Sequence, residues 1–208
     1  MPKVGFKYSA LYYLNQWISK DRRYYQSLAG NDESEKLQVL QDAATFYRVA
    51  RNLPVLHDEG RGLRRYKPVL DIIDAQTSAA FQGEALLPSI KRVRDAISAQ
   101  YGGREVLSLT TKFLWLRIRS PIIIYDSQAR KALDAPLGNI HEFYSQWREM
   151  FKRCAQEIDA ACTSLQDVGE YVADPIVATP RYIAEMASQQ WFRERVLDVY
   201  LWHRGGDA

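Results

Sequence analysis

Apolar residues recur at intervals of three and four along most of this chain. Leu11, Tyr12, Leu14, Trp17 and Ile18 mark one face of a helix over Ser9–Leu28, closed by Gly30, Asn31 and Asp32. Leu37, Leu40, Ala44, Tyr47 and Val49 repeat the pattern over Ser34–Leu53, and Pro54 closes it. Asp58–Lys67 holds two glycines and four basic residues and reads as a loop. Helical spacing resumes over Pro68–Phe81 and Pro88–Tyr101, and the pair Gly102 and Gly103 stops the second of these. Val106–Arg119 is a shorter helix, broken by Pro121.

Ile122, Ile123, Ile124 and Tyr125 are β-branched enough for a strand, but no second convincing strand exists to pair with them. An extended connector is the expectation. Ser127 then reads as a cap for a helix over Gln128–Leu133, with Asp126 just before it, and Pro136 and Gly138 end that element. Ile140–Leu165 carries the longest helical pattern. Thr179 and Pro180 open a last helix running to Trp202, leaving Gly205 and Gly206 as a loose tail. The pattern predicts an all-α fold of roughly eight helices, with residues 1–208 as a single domain or one built of two helical lobes.

Composition narrows the class. With 208 residues and 47% hydrophobic content the chain can bury a proper core, and thirteen tyrosines and five tryptophans argue against disorder. A net charge of +3 does not by itself name a polyanionic partner. Its distribution says more: from Arg104 to Lys131 six basic residues stand against Glu105 and Asp126. Smaller basic clusters lie at Arg61, Arg64, Arg65 and Lys67, and at Lys91, Arg92 and Arg94; such runs suit phosphate, though each taken alone reads first as a solvated face. Cys154 and Cys162 are separated by roughly 12 Å of helical rise, too far for a disulfide, so a reducing cytoplasmic setting is expected. Neither a signal peptide nor a membrane span is expected.

Candidate chemistry concentrates at one place. Asp126 ends a wholly apolar run, and a carboxylate at the edge of an apolar segment costs free energy unless it is paired or used. His57, His141 and His203 are isolated, which gives metal catalysis little support, and Gly60 and Gly62 lack the strand and Lys-Ser context of a phosphate loop. No metal or other cofactor is expected.

The order Thr111, Lys112, an apolar helix through Phe113, Leu114 and Leu116, a Pro-containing connector, then Tyr125, Asp126, Ser127 and a helix bearing Arg130 resembles the helix-hairpin-helix DNA glycosylases. The likeness covers about 26 residues, Ser108 to Leu133. Val106, Leu107, Ser108, Leu109 and Thr110 stand where that family carries a Gly-x-Gly turn. The resemblance implies two helical lobes around a cleft, a monomer, and as partner double-stranded DNA with one nucleotide flipped out of the stack. Asp126 falls where the family has its catalytic acid, which would stabilise an oxocarbenium-like sugar or orient water. Lys112 falls where some members carry a lysine that forms a Schiff base and permits strand cleavage.

In this reading Arg117, Arg119, Arg130, Lys131, Thr110 and Thr111 are candidate DNA contacts, and Trp115 and Tyr125 candidate base-pocket rings. Core burial competes for both rings, internal ion pairs compete for the arginines, and a surface or phosphate-binding role competes for Lys112. The alternative for the whole chain is a non-catalytic nucleic-acid-binding or protein-interaction module in which Asp126 is only a helix cap. Repair of cellular DNA and attack on the modified bases of an invader fit these residues equally.

Overall fold

The computed structural model describes residues 4–53 and 64–206. Pro54, His57, Gly60, Arg61 and Gly62, named above, lie outside the described residues. Among those described there is no strand, and the chain is all-α. Ten α-helices are described: α1 (Phe6–Gln16), α2 (Arg22–Ala29), α3 (Glu33–Phe46), α4 (Lys67–Asp74), α5 (Leu86–Gln100), α6 (Leu107–Ile118), α7 (Ser127–Ala132), α8 (Ile140–Thr163), α9 (Pro180–Ser188) and α10 (Gln190–Gly206), with short 3₁₀ turns between several of them. The chain divides into two compact units, Met1–Arg22 with Tyr125–Ala208, and Arg23–Ile124.

In the unit formed by Arg23–Ile124, α4 packs with α3, α5 and α6, and α5 with α6. Asp32 caps α3 by accepting from the Ser34 and Glu35 amides. The spacing pattern runs to Leu53, but α3 stops at Phe46, where Arg48 turns into the left-handed region at φ 56°. Gly102 and Gly103, at φ 73° and 76°, supply the backbone that ends α5, as the paired glycines predict. Helix α6 buries residues on every side, including Leu109, Phe113, Leu114 and Trp115. A helix that is apolar all round belongs in a core, and here the polar Thr110, Thr111 and Lys112 are carried in with it. Ile122, Ile123 and Ile124 follow as buried residues outside any helix, paired to no strand.

In the other unit, α10 packs on α1, α7, α8 and α9, and α1 also on α8. Three features differ from the sequence pattern. Between α1 and α2 the helix widens into a π-helical turn, Trp17–Asp21, an insertion that spacing alone does not reveal and that sets Asp21 fully buried. The final helix is two helices, because Gln189 adopts extended backbone (ψ 135°) between α9 and α10. Gly205 and Gly206 are helical rather than a tail: Gly205 is buried, and a Cβ added there would lie 1.8 Å from the Gln128 carbonyl oxygen. Only a residue without a side chain lets α10 approach α7 this closely.

Candidate functional site

Asp126 sits where the buried run Ile122–Tyr125 meets α7. It is the N-cap residue itself, a role the sequence pattern gives to Ser127: its Oδ1 accepts from the Gln128 amide at 2.9 Å, and Ser127 begins the helix. Asp126 is half-exposed, and its negative charge falls at the positive end of α7. Beside it, Tyr125 is buried edge-to-face on Phe143 at 5.0 Å, and its hydroxyl accepts from the Gly138 amide at 2.8 Å.

Behind Asp126 lies a polar cluster within the core of the same unit. Asp198 on α10 is 6% exposed and forms a 2.8 Å ion pair with Arg195, one helical turn earlier on the same face. The Trp147 indole on α8 donates to the second Asp198 oxygen at 2.7 Å. Arg195 stacks over the Tyr13 ring at 5.1 Å, and the π-helical turn brings in Asp21, which accepts from Gln16 at 2.9 Å. Burial pushes the Asp198 carboxyl upward, and the charge of Asp126 adds to that, while Arg195 and the Trp147 hydrogen bond oppose it. Burial likewise holds the Tyr13 hydroxyl well above its ordinary value, with Asp21 contributing. Two carboxylates thus stand in unlike surroundings, one half-buried at a helix terminus and one buried in an ion pair with Arg195.

The sequence pattern missed Asp198, Arg195 and Asp21. An Arg and an Asp three residues apart are a signal, but they read equally as a solvated pair on an exposed helix face.

The remaining candidates divide between the units. Arg130 spends one guanidinium nitrogen on the Ala135 carbonyl at 2.6 Å, just past the end of α7, while Lys131 is exposed. In the other unit Lys112 is 4% exposed, and its Nζ donates to Ser108 at 2.9 Å and lies 5.9 Å from the centre of the Tyr47 ring. Thr110 and Thr111 have no exposed surface, and Thr111 bonds back to the Leu107 carbonyl. In this conformation neither threonine offers a hydroxyl to a phosphate. Trp115 is buried at 1% exposure, and with Tyr125 also buried, neither proposed pocket ring presents a face to a ligand. Arg117 pairs with Asp74 at 3.3 Å, and Asp74 also holds Lys36. Arg119 takes the left-handed position after α6 at φ 64°, and its guanidinium lies 3.9 Å from the centre of the Tyr25 ring.

Among the described residues, no group of three or more His, Cys, Asp or Glu side chains could hold a metal ion, and no helix is long and apolar enough to cross a membrane. The chain matches no protein-family model, no curated protein and no solved structure.

Proposed function

We propose that this protein is a glycosylase-like enzyme that releases a damaged or modified base from double-stranded DNA, with Asp126 as the working carboxylate. The observation that carries the reading is a half-exposed carboxylate, fixed by a helix N-terminus and backed by a second, buried carboxyl on Asp198. Cleavage of an N-glycosidic bond builds positive charge on the sugar, and an ionised Asp126 would stabilise it or orient the attacking water. Asp198 is linked to Asp126 by charge alone, the negative charge of Asp126 raising the Asp198 carboxyl. Lys112, in the other unit, would need its covered amine exposed before it could form a Schiff base, so the monofunctional reaction is the form proposed. Lys131 on α7 is exposed and would contact the phosphate backbone.

The purified protein is incubated with duplexes carrying alkylated, oxidised and naturally modified bases, and abasic sites are counted. Asp126→Asn is the decisive variant, because an amide oxygen can still accept from the Gln128 amide and preserve the cap. The expected result is base release that falls by roughly a hundredfold or more in Asp126→Asn while DNA affinity is retained. No release from any duplex, or an equally active variant, overturns the reading.

One observation favours a second reading. The cap bond to Gln128 already gives Asp126 a purpose worth about 1 kcal/mol, as in a non-catalytic nucleic-acid-binding module. That reading expects Asp126→Asn to be silent in every assay.

A further inference from the structure

The exposed aromatic side chains of the first unit are grouped. Tyr8 and Tyr12 stand one turn apart on α1, 51% and 37% exposed, and Trp202 near the end of α10 is 42% exposed. His203 joins them: its ring centre is 5.4 Å from both tyrosine rings and 4.8 Å from Trp202, edge-on to all three. Four rings from two helices thus form one aromatic surface open to solvent, whereas single exposed apolar residues are ordinary.

The two segments that carry these rings hold charge of one sign. Among the described residues, 4–16 and 199–206 contain no acid, while Lys7 and Arg204 are both exposed. Arg204 is held toward the surface by a 3.1 Å hydrogen bond to the Tyr200 hydroxyl. Exposed rings interleaved with cations, with no exposed aliphatic side chain among them, suit a ligand that carries both π faces and negative charge.

We propose that this face of α1 and α10 binds a single-stranded nucleic acid by stacking unpaired bases on Tyr8, Tyr12 and Trp202, with Lys7 and Arg204 on the phosphates. The proposal stands apart from the role of Asp126. A protein that releases no base still binds strands here, and Asp126→Asn leaves that binding unchanged.

Trp202 supplies the readout, because Trp17, Trp115, Trp147 and Trp191 are all buried. The full chain is titrated with oligothymidylate of about twenty nucleotides, a length spanning several stacking sites. Anisotropy and tryptophan fluorescence are followed, with an abasic oligonucleotide of equal length as the backbone-only control. Saturable binding that quenches fluorescence is expected, at least tenfold weaker for the abasic strand and at least tenfold weaker for Tyr8→Ala/Tyr12→Ala. Trp202→Phe should bind with little quenching. Circular dichroism and a thermal melt establish that each variant is folded, and Tyr8→Leu/Tyr12→Leu replaces the alanine pair if that one unfolds. Equal affinity for the abasic strand, or unchanged affinity in the folded double variant, overturns the proposal. So does self-association of the free protein that the double variant abolishes, since the face would then belong to a second copy.

Discussion

Replacing Gly205 with Ala puts a methyl group where there is no room. The added Cβ would stand 1.8 Å from the Gln128 carbonyl oxygen, 2.6 Å from its carbonyl carbon and 3.0 Å from its Cα. Restoring a normal contact of roughly 3.5 Å requires about 1.7 Å of separation between the last turn of α10 and the first turn of α7. Both sides are backbone, so no side-chain rotamer can absorb the strain. Overpacking costs about 1–3 kcal/mol even where side chains can yield, which places this substitution near the upper end. Better helix propensity returns at most about 1 kcal/mol. A net loss of about 2 kcal/mol lowers the melting temperature by roughly 4–8 °C for a chain of this length. Gly206 is the internal control: nothing lies within 4 Å of a Cβ added there, so Gly206→Ala should be neutral or slightly stabilising. Urea and thermal unfolding of the two variants side by side measure the difference. A Gly205→Ala protein within about 0.5 kcal/mol of wild type, the range of ordinary surface changes, would refute the close helix approach.

Other outcomes are equally checkable. Because the Asp198 carboxyl is raised above its ordinary value of 3.8, the folded state binds more protons than the unfolded state just above that pH, and stability falls there with rising pH. Wild type should therefore compare best with Asp198→Asn below pH 3.8 and lose ground as pH climbs through the folded-state value; a difference independent of pH in urea titrations would count against the burial argument. Burial pushes the Cys162 thiol up to about 12, so a thiol reagent at pH 8 should modify Cys154 alone in the native protein and both cysteines in urea. Fast native labelling that survives Cys154→Ser would contradict this. Asp32→Ala removes two hydrogen bonds from the first turn of α3 and should cost about 1 kcal/mol in urea unfolding, with Asp32→Asn close to wild type.

Periodicity made most of the helices legible because each buries one face: Leu40 and Ala44 in α3, or Ile90, Val93 and Ile97 in α5, sit at the spacing that burial demands. It failed where the backbone rather than the side chains decides. The π-helical turn at Trp17–Asp21 shifts the register by one residue without leaving a compositional mark, and Gln189 breaks a helix with no Gly or Pro to announce it. Gly205 and Gly206 look alike in sequence, yet one is a packing requirement and the other is open to solvent. For the candidate site, Asp126 was legible because an acid after four apolar residues is conspicuous. Thr110, Thr111 and Lys112 were misleading, since polar type suggests surface while α6 buries all three, Thr111 and Lys112 through bonds within its own turns. Asp198 and Arg195 could not be told from a solvated pair until Trp147 and Tyr13 were seen to enclose them.

The cap at the start of α7 also bears on how this position can drift. A terminus that needs only an acceptor for the Gln128 amide is served by Asp, Asn, Ser or Thr, so descent under selection for folding alone would exchange these four freely at position 126. A reaction that needs negative charge tolerates Asp and, at a stretch, Glu, which caps less well. Sequences that diverge from this chain elsewhere thus carry a record of which demand governs: a mixture of small polar residues marks a fold kept for its shape, and unbroken aspartate marks one kept for its chemistry.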